Sequence, residues 1–333
     1  MKNKLIHTLF FCLCCFSLSA QDIHFSQAEY APMVLNPALS GIHGGMQANL
    51  NYRSQWTSVG NPYRTAAASF DSRLSKNKTK NYLGAGVFFM NDKAGNPAFT
   101  HNLIQLSLAY HASLNRRSSL SVGLYGGFGQ KSIGDVSGKW ATQYNGMSFN
   151  EALPSGETFN NPNFSYPDAG AGMVYYYSTP DGYMTQNKGR KFYAGASAYH
   201  ANRPNASFIE NQSMKLPVRL SAFCYAEIGV ANTSGVWMPG LYYQLQGGAR
   251  ELLAGTYYKY LINSGSKYTG YEKAVAVSLG MFVRARDSFV AKGMISKGDY
   301  SLGISYDINT SSLATASRAR GGYEIFLQYR GKR

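Results

Sequence analysis

The sequence predicts an all-β fold: a transmembrane antiparallel β-barrel of about 14 strands, with an N-terminal periplasmic or plug segment ahead of it. Three observations predict it. The chain opens like an exported protein. From Met46 onward, segments of about ten residues with alternating polarity follow one another. Beyond the opening, no window of about 18 consecutive apolar residues could form a membrane helix, so a barrel is the form left for a membrane protein.

Export is read from Lys2 and Lys4, the apolar run from Leu5 to Leu18, and Ser19-Ala20 standing before Gln21-Asp22. That order is a secretory signal peptide, expected over 1–20 with cleavage after Ala20. Leu18 is larger than the residue usual at its position, but no cysteine follows the small-residue pattern that lipid attachment requires. Cys12, Cys14 and Cys15 leave with the leader. Cys224 then has no partner for an intramolecular disulfide, and its place in an apolar alternating run fits a small hydrophobe. The formal charge of +15 falls to +13 without Lys2 and Lys4. In this compartment a basic surface meets lipid phosphates or acidic partners. Without a tight Lys/Arg run interleaved with aromatics, no nucleic acid is expected.

Residues 21–45, with Pro32 and Pro37 and little alternation, read as a periplasmic extension or as a plug folded into the lumen. Residues 46–333 read as the barrel. Strands are expected near 46–56, 64–73, 81–91, 100–113, 118–129, 168–178, 190–200, 215–227, 236–246, 249–261, 274–284, 288–296, 299–308 and 321–330. The period is two: Ile104, Leu106, Leu108 and Tyr110 alternate with Gln105, Ser107 and Ala109, so one face meets lipid and the other the lumen. The same rhythm sets Val218, Leu220, Ala222 and Cys224 against Arg219, Ser221 and Phe223. It recurs in Val275, Val277, Leu279, Met281 and Val283, and in Leu302, Ile304 and Tyr306. An even strand count returns the C-terminus to the periplasmic side. Tyr82, Tyr110, Tyr175, Tyr177, Tyr258, Tyr260, Tyr323 and Tyr329, near strand ends, fit interfacial girdles. Residues 131–167, with Trp140, Pro154, Pro162 and Pro167, interrupt the rhythm as a long loop on the outer side.

Searches for chemistry give little. The six histidines contain no His-x-x-x-His pair with a glutamate. His101 and His111 share a face but stand about 33 Å apart along one strand, too far for one metal. His111, Ser113 and Asn115 superficially resemble a hydrolase set, yet one strand cannot bring a base within hydrogen-bond reach of a nucleophile. Gly123, Gly126, Gly127 and Gly129 spell no phosphate loop and fit a strand that bends or needs room in the lumen. No enzyme activity, cofactor or metal is expected.

Blocks of sequence carry a family resemblance: Gln21-Asp22-Ile23-His24-Phe25-Ser26-Gln27, Leu35-Asn36-Pro37-Ala38-Leu39-Ser40-Gly41, Tyr52-Arg53-Ser54-Gln55-Trp56 and Ala68-Ser69-Phe70-Asp71. Further blocks are Phe164-Ser165-Tyr166-Pro167-Asp168-Ala169-Gly170, Ile304-Ser305-Tyr306-Asp307-Ile308-Asn309-Thr310-Ser311 and Gly321-Gly322-Tyr323-Glu324. In this order they resemble the PorP/SprF family, associated with type IX secretion, over the whole chain after the leader. The resemblance implies an outer-membrane barrel that binds secretion components or a large secreted adhesin, with gliding in some branches. It implies that Asp22, His24, Phe25, Asn36, Pro37, Arg53, Trp56 and Asp71 fix the N-terminal segment against the barrel. The alternative is a passive porin-like channel, with Arg219, Glu227, Lys259 and Arg284 either tuning its ion preference or pairing inside the lumen. A soluble exported β-sandwich also alternates, but many strands here outrun the usual five or six residues of a soluble sheet.

The parity assignment has a direct test. Leu106→Arg, placing a charge against lipid near mid-membrane, is expected to destabilise the barrel by about 2–4 kcal/mol, and Gln105→Arg by much less. Denaturant unfolding in lipid vesicles measures both, and equal losses would show inside and outside to be misassigned.

Overall fold

The computed structural model describes residues 22–58, 61–75, 81–95, 99–134, 141–150, 152–154, 156, 162–179, 189–208, 213–263, 273–311 and 314–331. The expected leader, 1–20, and residues 135–140, 151, 155 and 157–161 of the expected outer loop lie outside them.

Fourteen antiparallel strands close into one barrel: β1 Met46–Gln55, β2 Tyr63–Arg73, β3 Tyr82–Ala94, β4 Phe99–Ser113, β5 Ser118–Ile133, β6 Asn163–Ser178, β7 Arg190–Tyr199, β8 Arg219–Gly229, β9 Gly235–Gln246, β10 Ala249–Asn263, β11 Val275–Arg284, β12 Ser288–Lys297, β13 Tyr300–Asn309 and β14 Arg320–Gly331. Each pairs with its sequence neighbours, and β1 closes on β14 from Met46↔Gly331 to Gln55↔Gly322. Closure leaves no unpaired edge, which is what lets a sheet sit in hydrocarbon. Among the described residues no helix is long and apolar enough to cross a membrane.

The alternation divides the wall as its period requires. Leu106 is 65% exposed and Gln105 3%; Met281 is 80% exposed and Ser278 1%. Leu124, Phe128, Leu279, Ile295 and Ile304 are exposed on the same outer face. So continuous an apolar exterior has lipid as its solvent.

Proline accounts for the strand boundaries that depart from expectation. β6 starts at Asn163, not near 168, and β5 runs to Ile133, so the loop between them is 134–162. Pro167 sits inside β6 because its missing N–H costs nothing there: β6 pairs β5 from Asn163 onward but meets β7 only from Ala171. β8 starts at Arg219, not 215, after Pro217. Pro239 lies inside β9, and the β8–β9 ladder passes from Tyr225↔Gly240 to Ile228↔Trp237 without the two pairs between. Tyr82 is corrected in facing. It stacks on His111 at 4.4 Å and donates to the Ile42 carbonyl, so it belongs to the lumen and not to a girdle.

Odd-numbered strands run from the end where β1 begins to a far end, where the two longest connections, 134–162 and 200–218, both lie. Long loops face outward and short turns the periplasm, so the far end is extracellular. Residues 22–44 fill the lumen as an irregular plug with 3-10 turns at Ala28–Tyr30 and Pro37–Leu39 and a helical turn at Pro32–Leu35. Of the two expectations for this segment, periplasmic extension or plug, the geometry is the plug. Its path starts at the extracellular mouth and descends to the periplasmic mouth, where Met46 enters β1.

Candidate functional site

Among the described residues, the densest network of buried polar contacts lies in the seam between plug and wall. An irregular segment offers backbone groups that must be paired once buried, and lumen-facing strand positions are the donors and acceptors available.

At the extracellular mouth the Asp22 N–H donates to Gln246 Oε1 at 2.7 Å, and its carboxylate meets His200 Nε2 at 2.5 Å and Arg219 at 3.6 Å. His200 Nδ1 donates to Asp168, which also accepts from Tyr125 at 3.0 Å. The ring is thus held between two carboxylates. Burial opposes its charge, but the bonds to Asp168 and Asp22 outweigh burial and push its pKa up to about 9. Burial would raise the Asp22 carboxyl, yet His200 and Arg219 hold it well below the usual carboxylate range. His24 is the opposite case: burial, with Arg284 and Arg53 nearby, lowers its pKa well below the ordinary value, and its Nδ1 stands 3.2 Å from a Glu251 oxygen.

One turn further in, Ser26 sits in a knot of charge. The N–H groups of Ser26 and Gln27 donate to the two oxygens of Glu324, at 2.8 and 3.1 Å. Ser26 Oγ donates to Asp307 at 2.8 Å and accepts from Arg53 at 2.9 Å and Arg284 at 2.7 Å. Arg53 bridges Asp307 at 3.0 Å and Glu324 at 3.4 Å, and Arg284 bridges Asp307 at 2.8 Å and Glu251 at 2.9 Å. Arg53, Ser26 and Glu324 are all but fully buried. Phe25 packs beside them with Phe88, Met90 and Leu103, and Tyr30 stacks on Phe326 at 3.8 Å.

Lower down, the wall recedes to let the plug backbone touch it. A Cβ on Gly123 would lie 2.5 Å from the Ala38 nitrogen, and one on Gly172 would lie 2.2 Å from Asn36 Oδ1. Asn36 caps the following turn through Ala38 N–H at 2.9 Å and donates to the carbonyls of Met173 and Ala196. Pro37 opens that turn, where its missing N–H is no loss. The Gly41 N–H donates to Asp71 at 2.8 Å. Of the other glycines in β5, Gly129 makes room for the Tyr166 ring and Gly126 has nothing near it.

Seven of the eight residues singled out, Asp22, His24, Phe25, Asn36, Pro37, Arg53 and Asp71, therefore lie on the plug–wall seam. Trp56 does not: at positive φ past the end of β1, it donates its backbone N–H to Gly321 and packs its ring edge-on against Tyr63 at 4.7 Å. Their partners Ser26, His200, Asp168, Glu251, Asp307 and Glu324 were not singled out. For Asp168, Glu251, Asp307 and Glu324 the available signal is a charged side chain at lumen parity in an otherwise alternating strand; Ser26, in the plug, and His200, past the end of β7, carry no such signal. The lumen charges Arg219, Glu227 and Arg284 are paired, Glu227 with Lys191 at 3.1 Å.

His111 and Ser121, on adjacent strands, stand 2.6 Å apart, but both are buried and His111 Nε2 is occupied by the Ser40 carbonyl at 2.8 Å. That arrangement clasps the plug. Ser113 instead bonds the Asn115 carbonyl. Among the described residues no group of three or more His, Cys, Asp and Glu could hold a metal.

Two outcomes are expected. Arg53→Ala leaves Asp307 and Glu324 with one buried cation fewer and costs about 3–5 kcal/mol in vesicle unfolding. Asp71→Ala orphans only the Gly41 N–H and costs about 1–3 kcal/mol. For pH, the His200 contribution is whole below its ordinary value near 6.5 and is lost as pH rises through about 9, whereas the Asp22 contribution is lost only in acid. Hydrogen-exchange protection factors at residues 22–27 should fall between pH 6.5 and 9, and His200→Gln should flatten that fall.

No curated protein matches the chain. Among solved structures, the toluene transporter TbuX of Ralstonia pickettii superposes with a TM-score of 0.49 at 11% identity, covering 91% of this chain and 94% of that one. BamA from Haemophilus ducreyi lacking POTRA domains 1–3 gives 0.42 at 11% identity over 86% and 70%. The translocator domain of the autotransporter NalP from Neisseria meningitidis gives 0.37 at 11% identity over 86% and 87%. The family model described as type IX secretion system membrane protein PorP/SprF matches residues 17–329. With that match spanning plug and barrel alike, the chain belongs to the PorP/SprF family of type IX secretion system membrane proteins, and it is an outer-membrane β-barrel.

Proposed function

We propose that this barrel serves type IX secretion as a non-enzymatic binding component, docking secretion machinery or a large secreted adhesin on the surfaces at its two mouths. The observation that carries the reading is the filled lumen. A plug tied to the wall from His200 and Asp168 at the extracellular mouth to Tyr82 and His111 near the periplasmic one leaves the ends of the barrel for contact with proteins. In family branches paired with an adhesin, this docking would serve its export or anchoring and gliding.

The same observation weighs against a passive solute channel. Three of the four charges that would tune such a channel, Arg219, Glu227 and Arg284, are spent on Asp22, Lys191, Glu251 and Asp307 instead, which leaves Lys259. It weighs against a hydrolase as well, since the His111–Ser121 pair lies under the plug.

Photocrosslinkers placed at the extracellular loop 200–218 and at the periplasmic turn 230–234, in the native envelope, are expected to capture a type IX component or a secreted adhesin. Recovery of neither from both positions would defeat the proposal. In planar bilayers the intact protein is expected to stay silent; steady ohmic conductance would restore the channel reading.

A further inference from the structure

A cavity of about 100 Å³ lies between the plug and β8–β14 and opens to solvent on one side. Glu227, Ser296, Ser301 and Arg330, near the periplasmic ends of their strands, place that mouth on the periplasmic side. Its inner wall is aromatic: Tyr30, Tyr225, Tyr242, Tyr257 and Phe282.

The charges around it do not cancel. Glu29 is taken by Lys292 at 3.3 Å and by the Tyr257 hydroxyl at 2.6 Å. Glu227 is taken by Lys191 at 3.1 Å. His43, on the plug side, is held neutral by burial and by the Arg330 charge. Lys259 and Arg330 remain. Among the described residues the Lys259 ammonium makes no hydrogen bond or close ion pair, and Arg330 spends only its Nε, on Gln47 at 3.1 Å. Two cations in excess at the rim of an aromatic chamber give an anion somewhere to go and its apolar body somewhere to follow. The two glutamates on the same walls disfavour a dianion, which narrows the head group to a single charge. The wall can also yield here, since Ala226, Glu227 and Met238 line the cavity where Pro239 interrupts the β8–β9 ladder.

We propose that this periplasm-facing cavity is a binding site for an organic carboxylate with a compact aromatic or apolar body, its head group on Lys259 and Arg330. Such a group could be the C-terminus of a polypeptide or the head of a free fatty acid, and the test separates them. The full-length protein in lipid nanodiscs is titrated calorimetrically with the peptide N-acetyl-Leu-Tyr-Phe as free acid and as C-terminal amide, and with dodecanoate and its methyl ester. Saturable binding is expected for at least one acid, with its uncharged form at least tenfold weaker. Binding of the peptide acid identifies a polypeptide source, and binding of dodecanoate a lipid-derived one. Lys259→Gln and the double variant Lys259→Gln/Arg330→Gln are expected to weaken binding progressively, the double at least tenfold. Lys131→Gln, at the extracellular end, should leave it unchanged. A heat-dependent gel shift identical to that of the native protein establishes that each variant is folded, and Lys259→Gln alone decides if the double variant loses the shift. The proposal is overturned if neither acid saturates, if acid and uncharged form bind equally, or if folded Lys259→Gln binds as tightly as the native protein.

Discussion

A closed sheet of fourteen strands satisfies its own backbone and by the same act creates a lumen too wide for wall side chains alone to fill. Everything inside the molecule answers to that constraint. The chain fills the space with its own residues 22–44, and an irregular segment brings unpaired N–H and carbonyl groups with it. The charged knot at Ser26 is the solution at its most demanding point: two backbone donors converge on Glu324, and the resulting buried carboxylates are neutralised by Arg53 and Arg284. Buried ion pairs of this kind contribute little net stability over a well-packed apolar core. What they supply is position. An apolar contact tolerates a shift of register along the lumen, whereas a serine hydroxyl shared by two guanidinium groups and a carboxylate does not.

The remaining seam follows the same logic with different chemistry at each level. The extracellular mouth uses charge, since His200 and Arg219 hold Asp22. Midway the wall uses absence of side chain, because Asn36 and Ala38 lie where Gly172 and Gly123 leave the sheet bare. The periplasmic end uses single neutral bonds and one carboxylate: Ser40 to Ser107, the Ser40 carbonyl to His111, and the Gly41 N–H to Asp71. Lumen tyrosines fill what remains, Tyr199 by donating to the Met33 carbonyl at 2.6 Å while its ring carries the Arg219 guanidinium. A side chain with an apolar body and one polar tip suits a surface that must pack and also satisfy backbone.

The barrel is legible in the sequence because lipid and lumen differ so sharply that each strand records the difference every second residue. All fourteen strands lie where alternation places them. The misplaced starts of β6 and β8 lie at prolines misread in opposite directions: Pro167 as a breaker that β6 runs through, and Pro217 as part of a strand that begins only after it. Pro167 is tolerated only because β7 is too short to reach it, a fact about a neighbouring strand that no window around residue 167 contains. Tyr82 fails in the other direction, since a tyrosine at a strand end satisfies a girdle and a lumen equally and its stack on His111 decides. The seam is legible in its residues but not in their pairing. Asp22, Asn36, Arg53 and Asp71 stand in blocks that resemble a family, and so do Asp307 and Glu324, but the pairing does not show: Glu324, Asp307 and His200 lie 178 to 298 residues away from the plug residues they bind. Which lumen charge meets which plug atom depends on the path of a segment with no period of its own.

That path also constrains how the molecule can act. Because residues 22–27 sit at the extracellular mouth and Met46 starts at the periplasmic one, the plug is anchored covalently below and by charge above. Pulling from the periplasmic side tensions the entire seam at once, and the Ser26 knot, the His200 clamp and the Asn36 contacts must fail nearly together. Disturbing the extracellular mouth instead opposes only the His200 clamp and then the knot, in sequence, and a ladder broken one step at a time yields at far lower cost than one sheared in parallel. The extracellular face thus presents the His200 clamp, whereas the periplasmic face presents the open cavity bearing Lys259 and Arg330. The two mouths are unequal by construction, and the inequality is set by the direction in which residues 22–44 cross the lumen.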